Sequence, residues 1–203
     1  MSLLVRPALS ADIPSIANID IAASSAHPLT ASLISASFSG TVSAFISLYQ
    51  HLFSLPHYHF LIAEIDGQPV GFTAWKEGGV HEPDNFLPEM PEGADTKLIG
   101  YFMETVKAHK AGLGIEELAE LQILSICPEY QRKGVGSALL KLALEESDKN
   151  WEKMYVRSSA EGRGLYEKFE WKVTGTLSIE LKEFGLEGDI TWDMIREVGK
   201  ENK

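Results

Sequence analysis

The six residues Gln131-Arg132-Lys133-Gly134-Val135-Gly136 carry the most specific chemistry in the sequence. Glycines one residue apart let successive backbone N–H groups turn toward a common centre, and the two basic side chains beside them add positive charge. The turn lies between an apolar run ending at Ile126 and an amphipathic one beginning at Val135. Its donors therefore sit at a helix N-terminus, where an anion of the pyrophosphate type is favoured. Neither the G-x-x-x-x-G-K-[ST] phosphate loop nor the G-x-G-x-x-G dinucleotide fingerprint has this spacing. Taken alone, a G-x-G turn is equally what a tight strand-to-helix connection requires.

Other reactive side chains are less organised. His27, His57, His59 and His81 are candidates for a water-linked base, but no spacing selects one of them, and each reads more readily as a surface or packing histidine. Cys127 is the single cysteine, so it cannot form an intramolecular disulfide. No His/Cys/Asp/Glu cluster has metal-ligand spacing, and no metal is expected.

The elements that must position the loop follow from periodicity. Leu3 to Pro7 predicts a short strand, followed by a helix capped by Ser10 or Asp12 that carries Ile13, Ile16 and Ala17. The Ser/Ala-rich stretch from Ala22 to Ser43 gives no clear start for a second helix over Phe45 to Phe53. Two β-rich runs, Tyr58 to Ile65 and Val70 to Trp75, flank Asp66-Gly67-Gln68-Pro69 and predict an antiparallel hairpin. A Gly-, Pro- and acid-rich surface insertion over residues 76–96 precedes a helix with Leu98, Ile99, Phe102, Met103 and Val106 on one face. Glu120 to Ile126 predicts a strand and Val135 to Asn150 a helix. Met154 to Ser158 is a further strand, Gly164 to Phe169 a short helix, Trp171 to Leu181 a strand broken near Gly175, and Ile190 to Arg196 the last strand. So many hairpin-linked strands imply a mixed, mostly antiparallel α+β sheet flanked by helices in a single domain over residues 1–203.

Bulk properties bound the function. At 203 residues, 44% hydrophobic and 23% charged, the chain is long enough to bury a core without disulfides or metals. A net charge of −11 disfavours nucleic-acid backbones and tolerates a cationic substrate. No apolar run approaches the roughly 18 residues of a membrane span. The opening Met1 to Pro7 has no basic region followed by a long apolar stretch, so the expected location is cytoplasmic.

The run from Leu121 to Leu140, LQILSICPEYQRKGVGSALL, closely resembles the core of the GNAT acetyltransferases, whose signature is Q/R-x-x-G-x-G/A after a strand. Ser159-Ala160-Glu161-Gly162-Arg163-Gly164-Leu165-Tyr166-Glu167-Lys168-Phe169 is similar to a later segment of that family, and Met194 to Glu197 is similar to the ending of its small fungal-type members. The resemblance implies a splayed central strand pair and acetyl-CoA as cosubstrate. Leu124, Ser125 and Ile126 would lie along pantetheine. The N–H groups of Gln131, Arg132, Lys133, Gly134, Val135, Gly136 and Ser137 would surround the pyrophosphate, with Ser159 and Gly162 by the lower pantetheine arm. It also places the Ile126 N–H near the thioester oxygen and the Tyr166 hydroxyl near the sulfur as proton donor. Glu120 aligns with a strand glutamate that acts as general base in one branch, yet beside Glu116 and Glu117 it reads equally as a solvated carboxylate. Cys127 falls beside the phosphate loop and away from the acyl end, against a covalent acyl-enzyme. Two positions depart from the pattern: Ser159 stands where many relatives have Asn, and Glu170 where the family commonly has the Gly of a Gly-Phe pair, with Trp171 replacing the aromatic. The implied activity is direct acetyl transfer to a primary amine on a small molecule or peptide. The alternative is a non-catalytic acyl-CoA-binding module.

Overall fold

The computed structural model describes residues 2–80, 86–151 and 153–198. Strands β1 (Leu3–Pro7), β2 (Tyr58–Ile65), β3 (Gln68–Lys76), β4 (Ala119–Ile126), β5 (Lys153–Ser158), β6 (Lys172–Ile179) and β7 (Asp189–Glu197) form one sheet in the order β1-β2-β3-β4-β5-β7-β6. Every neighbouring pair is antiparallel except β4 with β5. The expected mixed α+β architecture is thus present, and the helices are α1 (Ile13–Ala23), α2 (Pro28–Ala36), α3 (Phe38–Ser54), α4 (Thr96–Ala111), α5 (Val135–Ser147) and α6 (Ala160–Lys168).

Local chemistry explains most boundaries. Asp66 (φ 51°) and Gly67 (φ 82°) both take positive φ, the turn whose twist matches two right-twisted strands, so β2 and β3 close as a hairpin. The unbounded Ser/Ala stretch resolves into α2 and α3, separated by Ser37, whose hydroxyl accepts the Gly40 N–H at 3.1 Å and caps α3. Sheet alternation then builds two cores. Leu61, Ala63 and Leu121 pack with Val135, Leu139, Leu140 and Ala143 of α5, while Phe60, Ile62, Phe72 and Ala74 pack with Ile16, Ala17 and Tyr49 of α1 and α3. A third cluster joins Leu98 and Phe102 of α4 to Leu177 and Ile179 of β6.

The parallel pair is short. Ala119, Glu120 and Leu121 pair with Met154, Tyr155 and Val156, and there the pairing stops. Beyond Leu121, β4 stays with β3 through Ile126↔Gly71, whereas β5 stays with β7 through Ser158↔Trp192. The sheet therefore opens as a V. At its vertex Trp75 pairs with Leu121 and Ala74 with Ile123, leaving Gln122 as an extra, bulged residue that redirects β4.

One buried carboxylate ties this region to the helices. Asp20 of α1 accepts hydrogen bonds from Tyr49 of α3 and Ser125 of β4, each at 2.6 Å. Burial raises its carboxyl above the usual range, outweighing both hydrogen bonds. Such a group stabilises the native state most while protonated. Ionisation of the unfolded chain begins near ~3.9, so that contribution shrinks as pH rises from there through the raised native value. We expect the Tm advantage of the wild type over Asp20→Asn to be larger near about pH 4 than near about pH 7.5; a difference independent of pH in thermal denaturation would show that Asp20 titrates normally.

Candidate active site

The walls of the V expose backbone. Cys127 N–H donates to Val70 O at 2.9 Å, so its polar groups face β3. By antiparallel alternation, those of Ser125 and Ile123 do the same, and those of Leu124 and Ile126 face the gap that β5 has left. Thr73 Oγ1 donating to Ile123 O at 2.8 Å, and Gln131 Nε2 to Ile126 O at 3.2 Å, agree with this assignment. The Ser125 side chain is committed to Asp20, leaving only its backbone for the sheet.

At the wide end lies the loop into α5. Gln131, Arg132, Lys133 and Gly134 are exposed, and both Arg132 (φ 60°) and Gly134 (φ 87°) are left-handed. A non-glycine residue held there stores strain of about 1–3 kcal/mol, a feature that clusters at binding sites. Gly134 is the N-cap of α5 and offers no capping side chain, and the first intrahelical bond runs from Ala138 N–H to Gly134 O. The N–H groups of Val135, Gly136 and Ser137 thus have no intrahelical acceptor and point out of the helix beside Arg132 and Lys133. A Cβ on Gly136 would meet Leu165 of α6 at 3.2 Å and Ile126 at 3.9 Å, so glycine there lets α5, α6 and β4 converge.

Helix α6 forms the other wall. Ser159 caps it, accepting the Gly162 N–H at 3.3 Å, and a Cβ on Gly162 would lie 3.1 Å from the Tyr166 ring. The Tyr166 ring is buried, 6% exposed, and meets Trp171 edge-on at 5.4 Å. Its hydroxyl makes no hydrogen bond to another described residue and is not among the fully buried unpaired atoms, so the oxygen reaches open space. Burial raises this phenol and keeps it protonated.

The vertex holds a cavity of about 130 Å³ lined by Val106, His109, Lys110, Glu120, Leu121, Gln122, Tyr155 and Arg157. Glu120 pairs with Lys110 there. Asp193 of β7, 1% exposed, accepts from Tyr155 Oη and from His109 Nε2, both at 2.7 Å. Burial and the Asp193 carboxylate together push the Tyr155 phenol up, so it remains a donor. The break expected near Gly175 is not a break but an irregularity within the continuous β6, whose register with β7 shifts between Val173 and Gly175, and a Cβ at Gly175 would press on Asp193 Oδ2 at 3.0 Å.

Sequence reasoning passed over His109. The signal was its place three residues after Val106 on the face of α4 that carries Leu98 and Phe102, opposite an acid in the middle of β7. The histidines it did single out lie elsewhere. His27 caps α2 through Nδ1 and pairs with Asp189 at 3.4 Å, holding that carboxyl below the usual range. His59 stacks on Trp75 and pairs with Glu77, His57 packs beside Tyr58, and His81 lies outside the described residues. Burial, and then Glu129, push the Cys127 thiol up and away from a reactive thiolate. Among the described residues no three His, Cys, Asp or Glu side chains are grouped to hold a metal.

Comparison with known proteins fits this geometry. Residues 80–180 match the acetyltransferase (GNAT) domain. The solved N-acetyltransferase of Staphylococcus aureus Mu50 superposes with a TM-score of 0.60 at 17% identity, covering 97% of this chain and 99% of that one. Domain and fold together support the GNAT superfamily. The ribosomal-protein-alanine N-acetyltransferase of Brucella melitensis (TM-score 0.59, 19% identity, 96% and 99% covered) and a GNAT acetyltransferase of Streptococcus pneumoniae (0.58, 15%, 98% and 100%) share the fold. No curated protein matches the sequence. No helix among the described residues is long and apolar enough to cross a membrane.

One departure from the GNAT pattern is now explained. Glu170 has φ 69°, the left-handed conformation that a glycine adopts freely, so the turn into Trp171 is kept at a cost in strain. Glu170→Gly relieves that strain and adds unfolded-chain entropy. The net expectation is a gain of about 0.5–1 kcal/mol, read as a rise in Tm of roughly 1–4 °C. A lower Tm would mean that the glutamate side chain contributes more than the strain costs.

Proposed function

We propose that this protein transfers an acetyl group from acetyl-CoA to a primary amine by direct attack. The observation that carries this is the V between β4 and β5. Its wide end carries outward N–H donors and two basic residues, and its vertex opens on a cavity with titratable groups. The Gln131 N–H donates to Pro128 O at 3.2 Å, which leaves the N–H groups from Arg132 to Ser137, with the Arg132 and Lys133 side chains, to suit the pyrophosphate. The gap-facing groups of Leu124 and Ile126 suit the amides of pantetheine as a missing strand would. Ile126 abuts Gly136 at the phosphate end, so the thioester carbonyl is better served by the Leu124 N–H, nearer the vertex, than by that of Ile126.

Two proton movements remain. His109 is fixed by donating Nε2–H to Asp193, which leaves Nδ1 as the ring acceptor for a proton from the attacking amine. Glu120, held by Lys110 on the same cavity wall, supplies negative charge for the incoming ammonium and is the second candidate base. Tyr166, unpaired and protonated, donates to the departing thiolate.

The roles separate by measurement. Tyr166→Phe is expected to keep acetyl-CoA affinity and Tm while kcat falls by roughly 10² to 10⁴. Full turnover in the folded Phe variant would exclude the phenol as the acid. His109→Gln is expected to lower kcat/KM and flatten its acidic limb, with Glu120→Gln raising the KM for the amine; the reverse pattern would make Glu120 the base. CoA binding in calorimetry with no acetylated product from any amine would instead identify an acyl-CoA-binding module.

A further inference from the structure

Arg157 is the first residue of β5 beyond the paired stretch, and its side chain lines the vertex cavity beside His109 and Tyr155. Its Nη1 is buried and has no hydrogen-bond partner among the described residues. The neighbouring acids are already committed. Asp193, directly opposite on β7, spends one oxygen on Tyr155 and the other on His109. Asp189 pairs with His27, and Glu120 with Lys110. The guanidinium thus lines the cavity without a hydrogen bond to a described residue, and since Nη1 alone of its nitrogens is fully buried, the rest of the fork reaches open space. A buried charged donor without an acceptor is costly, and a carboxylate is the group whose shape matches the guanidinium fork.

We infer that the acceptor amine carries a carboxylate of its own, seated on Arg157 while the amine faces His109. This rests on the acetyltransferase reading above and narrows its substrate to a small zwitterion, a free amino acid or a close analogue. Three observations converge on that class. A cavity of about 130 Å³ admits a small molecule and not a folded surface. The protein's net charge of −11 gives no general attraction for anions, so a carboxylate is drawn only by a local cation. His109 and Glu120 share the cavity wall with that cation, so a molecule seated on Arg157 by its carboxylate presents its amine to them. An amine without a carboxylate would leave the cavity-facing guanidinium unmet once the site closes over it, which is how a site rejects an analogue lacking one polar group.

The test compares free α-amino acids, from glycine upward, with their carboxamides, in which the amine is kept and the carboxylate is neutral. Calorimetry on the CoA-loaded protein reads binding without requiring turnover, and kcat/KM with acetyl-CoA reads the reaction. At least one acid should bind about 10- to 100-fold more tightly than its amide. Arg157→Met should bring that ratio close to one, and Arg157→Lys should restore part of it. Thermal denaturation of each variant checks that it is folded. Amides bound as tightly as acids by the wild type, or an unchanged ratio in folded Arg157→Met, would overturn the inference. Failure to bind CoA at all is a different result: it removes the acetyl-CoA reading, while the acid-to-amide ratio measured on the CoA-free protein still decides the role of Arg157.

Discussion

Two parallel strands that stop pairing leave backbone donors and acceptors facing each other across a gap, and buried backbone groups do not go unpaired without cost. That constraint organises this molecule. Past Leu121 and Val156, β4 and β5 each remain bonded on their outer side, to β3 and to β7, so the divergence is built into two antiparallel ladders and does not depend on a loop. The bulge at Gln122 sets where the divergence begins. Everything placed around the gap, α5 at the end of β4 and α6 at the end of β5, is placed by it.

The vertex shows how a buried polar group can fix geometry without metal or disulfide. Asp193 holds Tyr155 on its own face of the sheet and His109 on α4, while Asp20 performs the same task for α1, α3 and β4 on the other side of the gap. In each case one carboxylate with two donors replaces apolar packing where the sheet is weakest. Such networks specify a single arrangement only when every member is satisfied. Gly175 belongs to this logic, since the carboxylate of Asp193 occupies the space its side chain would need.

The fold was legible in the sequence where periodicity changed over a punctuated turn. Ile126 to Val135, with Pro128 and Gly134 between a period of two and a period of 3.6, is one such place, and Asp66-Gly67 is another. Between Ala22 and Ser43, small residues repeat without an apolar stripe, so the limits of α2 and α3 come from the caps His27 and Ser37, which only the folded chain reveals. The loop from Gln131 to Gly136 was visible because its donors are contiguous. His109 and Asp193 were not, because they are 84 residues apart and each reads locally as an ordinary polar residue in a helix and a strand. The unmet donor of Arg157 had no sequence signature at all, since an absent partner is a property of the packed structure.

The V is also a pair of strand edges enclosed within a sheet. Exposed edges invite other polypeptides to add on, and proteins usually shield or charge them. Here the edges are flanked by α5 and α6, which come together where a Cβ on Gly136 would meet Leu165 at 3.2 Å. The unpaired backbone groups therefore lie inside the sheet, between two helices, and not along its outer border. Whatever fills the gap completes the sheet, so by mass action the resistance of the native state to unfolding rises with the occupant's free concentration.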